Sequence, residues 1–178
     1  MRRLLLVDDE INVLHALQRA LYRHFGREEI RIEISVDPRE ALARVAECAF
    51  DVIISDFRMP PMSGVEFLKA VKGLQPAAVR LMLSAATEFD TVVTAINDAE
   101  IFRYLAKPWK DADLQEVIAL ALARRDQLLE DRTLADEVRV ERSMLSAEDH
   151  EARRLEIAEP GITKVKWGPD GAVMLDEF

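Results

Sequence analysis

Cysteine occurs once in the 178 residues, at Cys48, on what reads as the inner side of a helix. No disulfide and no cysteine metal cluster can form within the chain, and a reducing, cytoplasmic setting is expected. Long apolar runs are missing too. Nothing approaches the roughly 20 residues a membrane-crossing helix needs. MRRLLLVDDE, with two arginines ahead of a short apolar stretch, imitates a secretory signal, but acid follows after four apolar residues, so it reads as a first strand. A basic surplus is also absent: the formal net charge is −9, which argues against a face that neutralises nucleic-acid phosphates. His15, His24 and His150 show no ligand spacing and read as structural or solvated.

What is present is a profile about half apolar and one-third charged, that of a globular protein with a real core. The length allows one α/β domain plus something smaller. From Met1 to about Ala123, short apolar runs alternate with amphipathic stretches of helical length. LLLV before Asp8, RIEIS after Arg31, VIIS before Asp56, VRLMLS ending at Ser84 and IFRYL ending at Leu105 are the five strand candidates. The first helix shows Val13, Leu17, Ala20, Leu21 and His24 at helical spacing. The second is announced by Asp37, Pro38 and Glu40, and capping-box spacings at Ser63 with Glu66 and at Thr87 with Asp90 open two more. Strand then helix, repeated, predicts a parallel sheet covered on both faces, which explains nearly continuous Val, Ile and Leu.

After Ala123 the sequence mixes both signs of charge without Gly or Pro as far as Glu159. With no breaker, the fifth helix is expected to run straight on. Leu134, Val138, Leu145, Ala152 and Leu155 form a sparse seam that Glu141 and Glu148 interrupt, consistent with a coiled coil or with a solvated helix laced by ion pairs. Pro160 and Gly161 stop it. ITKVKWGPDGAVMLDEF then reads as a β-hairpin turning at GPDG, with Thr163, Val165 and Trp167 on one face. A lone hairpin is marginal in water and needs a surface, which makes Trp167 a candidate contact. Trp109 is expected to pack at the start of the fifth helix. The division is therefore 1–123, 124–159 and 160–178.

In an open parallel sheet the crevice lies at the carboxyl ends of the strands, where strand order reverses. Those ends carry Asp8 and Asp9, Asp56, Ser84 and Lys107. Each alone has an ordinary explanation as cap, strand end or solvated side chain. Together they do not. Carboxylates ~4 Å apart repel by about 4 kcal/mol at an effective dielectric of 20, so something cationic must offset them. A hard divalent ion such as Mg²⁺ and a lysine both suit this set, and the set suits a phosphoryl group.

VDDE, SDFRMPPMSG, LSAAT and RYLAKPW, in this order and spacing, resemble the receiver domain of two-component response regulators over roughly Met1 to Ala123. The resemblance implies a flavodoxin-like (βα)5 fold of sheet order 2-1-3-4-5. It implies a phosphoacceptor at Asp56, charged from a sensor histidine kinase or a histidine phosphotransfer protein. Asp9, Asp56 and the Arg58 carbonyl would bind Mg²⁺, with Asp8 acting through a coordinated water. Lys107, set by a cis bond before Pro108, would pair with Asp56 and then with a phosphoryl oxygen. Ser84 would donate to that group, Ala85 would leave room for the donor, and Tyr104 would turn into the vacated space. That switch alters the surface of the fourth helix, fifth strand and fifth helix. Pro60, Pro61 and Ser63 depart from the family's usual loop but remove no ligand.

Such a chain is a signalling protein and not an enzyme. The phosphatases that also phosphorylate a strand-end Asp need a second Asp two residues on, where this chain has Arg58. The alternative is a receiver-like interaction module that signals without phosphate. No basic helix-turn-helix, HD or GGDEF-type signature or ATPase loop follows. IFRYLAKPW resembles receivers that precede larger effectors, so the chain reads as either a piece of such a protein or a short relative. Output is expected through protein contact, with homodimerisation by the extension, and without direct nucleic-acid or membrane binding.

Overall fold

The computed structural model describes residues 1–85, 99–141 and 147–158, with side chains at 137–148 and 150 excepted. Five parallel strands, β1 (Arg2–Val7), β2 (Ile30–Ser35), β3 (Val52–Asp56), β4 (Val79–Ala85) and β5 (Arg103–Lys107), form one sheet of order 2-1-3-4-5. The described helices are α1 (Ile11–His24), α2 (Pro38–Glu47), α3 (Gly64–Leu74), α4 (Asp111–Glu141) and α5 (Ala147–Ala158). The helix expected from Thr87 and the hairpin containing Trp167 lie outside the described residues.

The sheet separates two apolar cores because successive strand side chains point to opposite faces. Leu4 and Leu6 join Leu14, Leu17 and Leu21 of α1 and Leu114 and Ile118 of α4. Leu5 and Val7 join Val45 of α2 and Phe67, Leu68 and Val71 of α3. β3 is the central strand and is buried along its whole length, which accounts for its unbroken apolar run. Trp109 packs against the first core, as expected.

Caps end the helices where the side-chain chemistry asks. Asp37 accepts the Arg39 N–H with Pro38 at the first position of α2. Ser63 and Glu66 close a full capping box at the start of α3.

Four expectations shift. On α1 the buried stripe is Leu14, Leu17, Ala20 and Leu21, so Val13 and His24 flank the core instead of leading it. Cys48 follows α2 as its C-cap instead of lying within the helix, and it still faces inward, packed against the second core. The last strand begins at Arg103, because Phe102 already donates its N–H to Arg80 as a connecting segment. The long helix also does not run straight to Glu159. Asp136 and Arg153 are 17 positions apart, about 25 Å along one helix, yet they form an ion pair at 3.4 Å. α5 therefore lies back along α4, and Leu134 and Leu155 of the expected seam are 59% and 41% exposed, while the side chains of Val138 and Leu145 lie outside the described ones.

Candidate functional site

The site forms where β1, β3, β4 and β5 end. Asp8 follows β1, held by its N–H to the Ser35 carbonyl at 3.3 Å, and is completely buried. One of its carboxylate oxygens accepts the Glu10 N–H at 2.9 Å, and the other meets Lys107 Nζ at 2.6 Å. Asp56 ends β3, nearly buried; Oδ1 lies 2.5 Å from Lys107 Nζ and Oδ2 accepts the Arg58 N–H at 2.7 Å. One ammonium thus serves two carboxylates.

Burial pushes the Asp8 carboxyl above the usual carboxylate range, and the nearby Asp56 charge adds to this, against hydrogen bonds from Lys107 and the Glu10 N–H. Burial also works against the Lys107 ammonium. Its hydrogen bonds to Asp56 and Asp8 outweigh that cost and hold its pKa above the ordinary lysine value. The cation is fully charged at neutral pH, and two acids converge on it.

Register places the remaining predicted residues. Asp56 pairs with Leu83, so Ser84 stands one residue further along the neighbouring strand. Ser84 is buried and its hydroxyl donates to the Ala85 carbonyl at 3.1 Å. Tyr104 pairs with Met82 and is 40% exposed. Asp9 is exposed beside Asp8. Peptide bonds Lys107–Pro108 and Pro60–Pro61 are both cis, the first as expected.

Among the described residues, no three His, Cys, Asp or Glu side chains group closely enough to hold a metal by themselves. Lys107 occupies the space between Asp8 and Asp56. The donor set still suits Mg²⁺, which is held by one or two carboxylates with several waters retained and has no need of an all-protein cage.

One requirement of the loop was not recognised from sequence. A Cβ on Gly64 would stand 1.9 Å from the Asp56 carbonyl oxygen, so only glycine lets α3 start against the end of β3. Its place directly after a helix cap was the available signal.

The family model for the response regulator receiver domain matches residues 4–119. This chain belongs to the response regulator receiver family. The hydrogenase transcriptional regulatory protein HoxA of Cupriavidus necator is 36% identical over 118 residues, 66% of this chain and 23% of HoxA. The transcriptional regulatory protein ZraR of Salmonella typhimurium is 37% identical over 120 residues, 67% of this chain and 26% of ZraR. The chain thus spans about a quarter of the length of these curated relatives. A response regulator receiver domain protein from Clostridium thermocellum superposes with a TM-score of 0.65 at 27% identity, covering 72% of this chain and 99% of that one. The receiver fold is the flavodoxin-like arrangement that the resemblance implied, with the parallel sheet covered on both faces that the strand pattern predicted. No helix among the described residues is long and apolar enough to cross a membrane.

Proposed function

We propose that this receiver accepts a phosphoryl group on Asp56 from a phosphohistidine of a sensor kinase or histidine phosphotransfer protein. The observation that carries it is the shared Lys107 ammonium between buried Asp8 and Asp56 at the carboxyl edge of the sheet. An Asp56 carboxylate oxygen attacks phosphorus, the N–P bond breaks with its electrons passing to the imidazole, and an acyl phosphate remains. Such transfer asks the protein for positioning and charge stabilisation. Asp9, Asp56 and the Arg58 carbonyl would hold Mg²⁺, with Asp8 one water removed. The ion would supply charge neutralisation at the phosphoryl oxygens.

Lys107 moves its charge from carboxylate to phosphoryl oxygen as the acyl phosphate forms. The Ser84 hydroxyl, which donates to the Ala85 carbonyl, turns to the phosphoryl group, and Tyr104 follows inward from its exposed position. The output is contact with another protein, with residues 124–159 pairing two copies. HoxA and ZraR are named as transcriptional regulators; for this acidic chain direct nucleic-acid binding is not part of the reading.

The test is incubation with a small phosphodonor and Mg²⁺. Wild type gains one phosphoryl group by mass and Asp56→Asn gains none; an unmodified wild type overturns the reading. Sedimentation with and without the donor tests the pairing, and a monomer in both conditions removes it.

A further inference from the structure

The extension does more than project from the receiver. Where α5 lies back along α4, the two helices and the turn between α3 and β4 line an open cavity of about 590 Å³, a volume in the range of ligand-binding clefts. It lies at the amino edge of the sheet, away from Asp56. Its apolar lining includes Leu74, Pro76, Leu128 and Ile157, and the exposed Asp131 and Arg132 are among the charged residues that line it. Leu74 is 45% exposed there, a large apolar side chain left uncovered by the described residues. Neither Asp131 nor Arg132 has an ion-pair partner among the described residues.

We propose that this cavity is the docking site of the chain's own residues 159–178, with Trp167 as the anchor. Position argues for it first: Glu156 and Ile157 in the last turn of α5 line the cavity, so the chain leaves Ala158 at its edge. Trp167 is nine residues on, a reach of up to about 30 Å, enough for any point on the lining. Composition argues for it second. Val165 and Trp167 alternate with Lys164 and Lys166, an apolar row to face Leu74 and Leu128 and a basic row to face the charged lining and solvent. The hairpin expected from the sequence needs a surface, and this mainly apolar one is within reach.

Trp167 becomes the sole tryptophan in a Trp109→Phe chain. Its fluorescence should be shielded from acrylamide, and adding Leu74→Asp or Ile157→Asp should raise quenching several-fold while far-UV circular dichroism stays unchanged. Quenching like that of free indole in the parent, or shielding that survives both substitutions, overturns the proposal. Shielding that grows with protein concentration assigns the cavity to a second copy's segment and overturns it equally. Independently, Trp167→Ser in the otherwise unaltered full chain should speed amide exchange at Leu74–Ala78 at least tenfold. Equal exchange rates overturn it even if the cavity variants fold poorly.

Discussion

Lys107 Nζ lies 2.6 Å from a carboxylate oxygen of Asp8, which has no solvent exposure of its own. The folded-state pKa of Asp8 is raised, so the native state binds its proton more tightly than the unfolded chain does. The burial cost of ionised Asp8 is carried in full above that raised pKa. It is relieved as pH falls toward the ordinary carboxylate value. Asp8→Asn removes this dependence. The variant should be more stable than wild type at neutral pH, and the gap should close on acidification. Urea midpoints across the acidic range measure it, and a gap that widens toward low pH refutes the assignment. Lys107 does not confuse the test, because its raised pKa means its contribution is present throughout and is lost only at strongly alkaline pH.

Replacing Lys107 itself has the opposite sign. Lys107→Met leaves Asp8 and Asp56 facing each other without their shared cation. The loss should be about 3 kcal/mol, the low end for breaking a buried pair, since Lys107 keeps some solvent contact. Phosphoryl uptake should fall with it. A variant within about 0.5 kcal/mol of wild type by chemical denaturation would mean that water, not Lys107, compensates these acids.

Gly64→Ala tests the close approach of α3 to β3. The two nearest atoms to the added methyl are the backbone carbonyl oxygen and carbon of Asp56, with the Ser55 hydroxyl next at 3.0 Å, so rotamer change cannot relieve the clash. The helix start must shift, at a cost of about 1–3 kcal/mol or more. Because Arg58 N–H holds Asp56 from the same loop, phosphoryl uptake should drop as well. Unaltered stability would show that the capping box of Ser63 and Glu66 can slide.

Legibility followed chemistry that is local or periodic. The parallel sheet, its apolar strands, the Asp37 and Ser63 caps and the positions of Asp8, Asp56 and Lys107 follow from runs, spacing and strand ends, while the strand order came only with the family resemblance. Pairings between distant charged residues do not. Arg80 is a strand residue that sequence treats as one cation among many, yet it is buried and donates to the Ala78 and Ala99 carbonyls. The Asp136–Arg153 pair that marks the return of α5 was hidden for the same reason, since a charge-rich helix reads alike whether it continues or turns back.

The base of α4 carries the same kind of hidden contact. Arg125 is buried and pairs with Asp51 at 3.3 Å, and Arg2 at the start of β1 pairs with Asp126. Both partners on α4 lie beyond residue 119, where the family match ends, and beyond the boundary at Ala123. The extension is therefore bolted to the amino edge of the sheet, and Arg125→Leu should destabilise the receiver itself. Asp51 keeps the Arg3 N–H at 2.7 Å and a longer contact with Arg2, so the cost is that of a partly unsatisfied group, about 1–3 kcal/mol. Arg124→Leu, at the exposed neighbouring position, should stay within about 0.5 kcal/mol of wild type. Equal effects from the two substitutions, read as urea midpoints, would mean that α4 beyond Ala123 contributes nothing to the domain it follows.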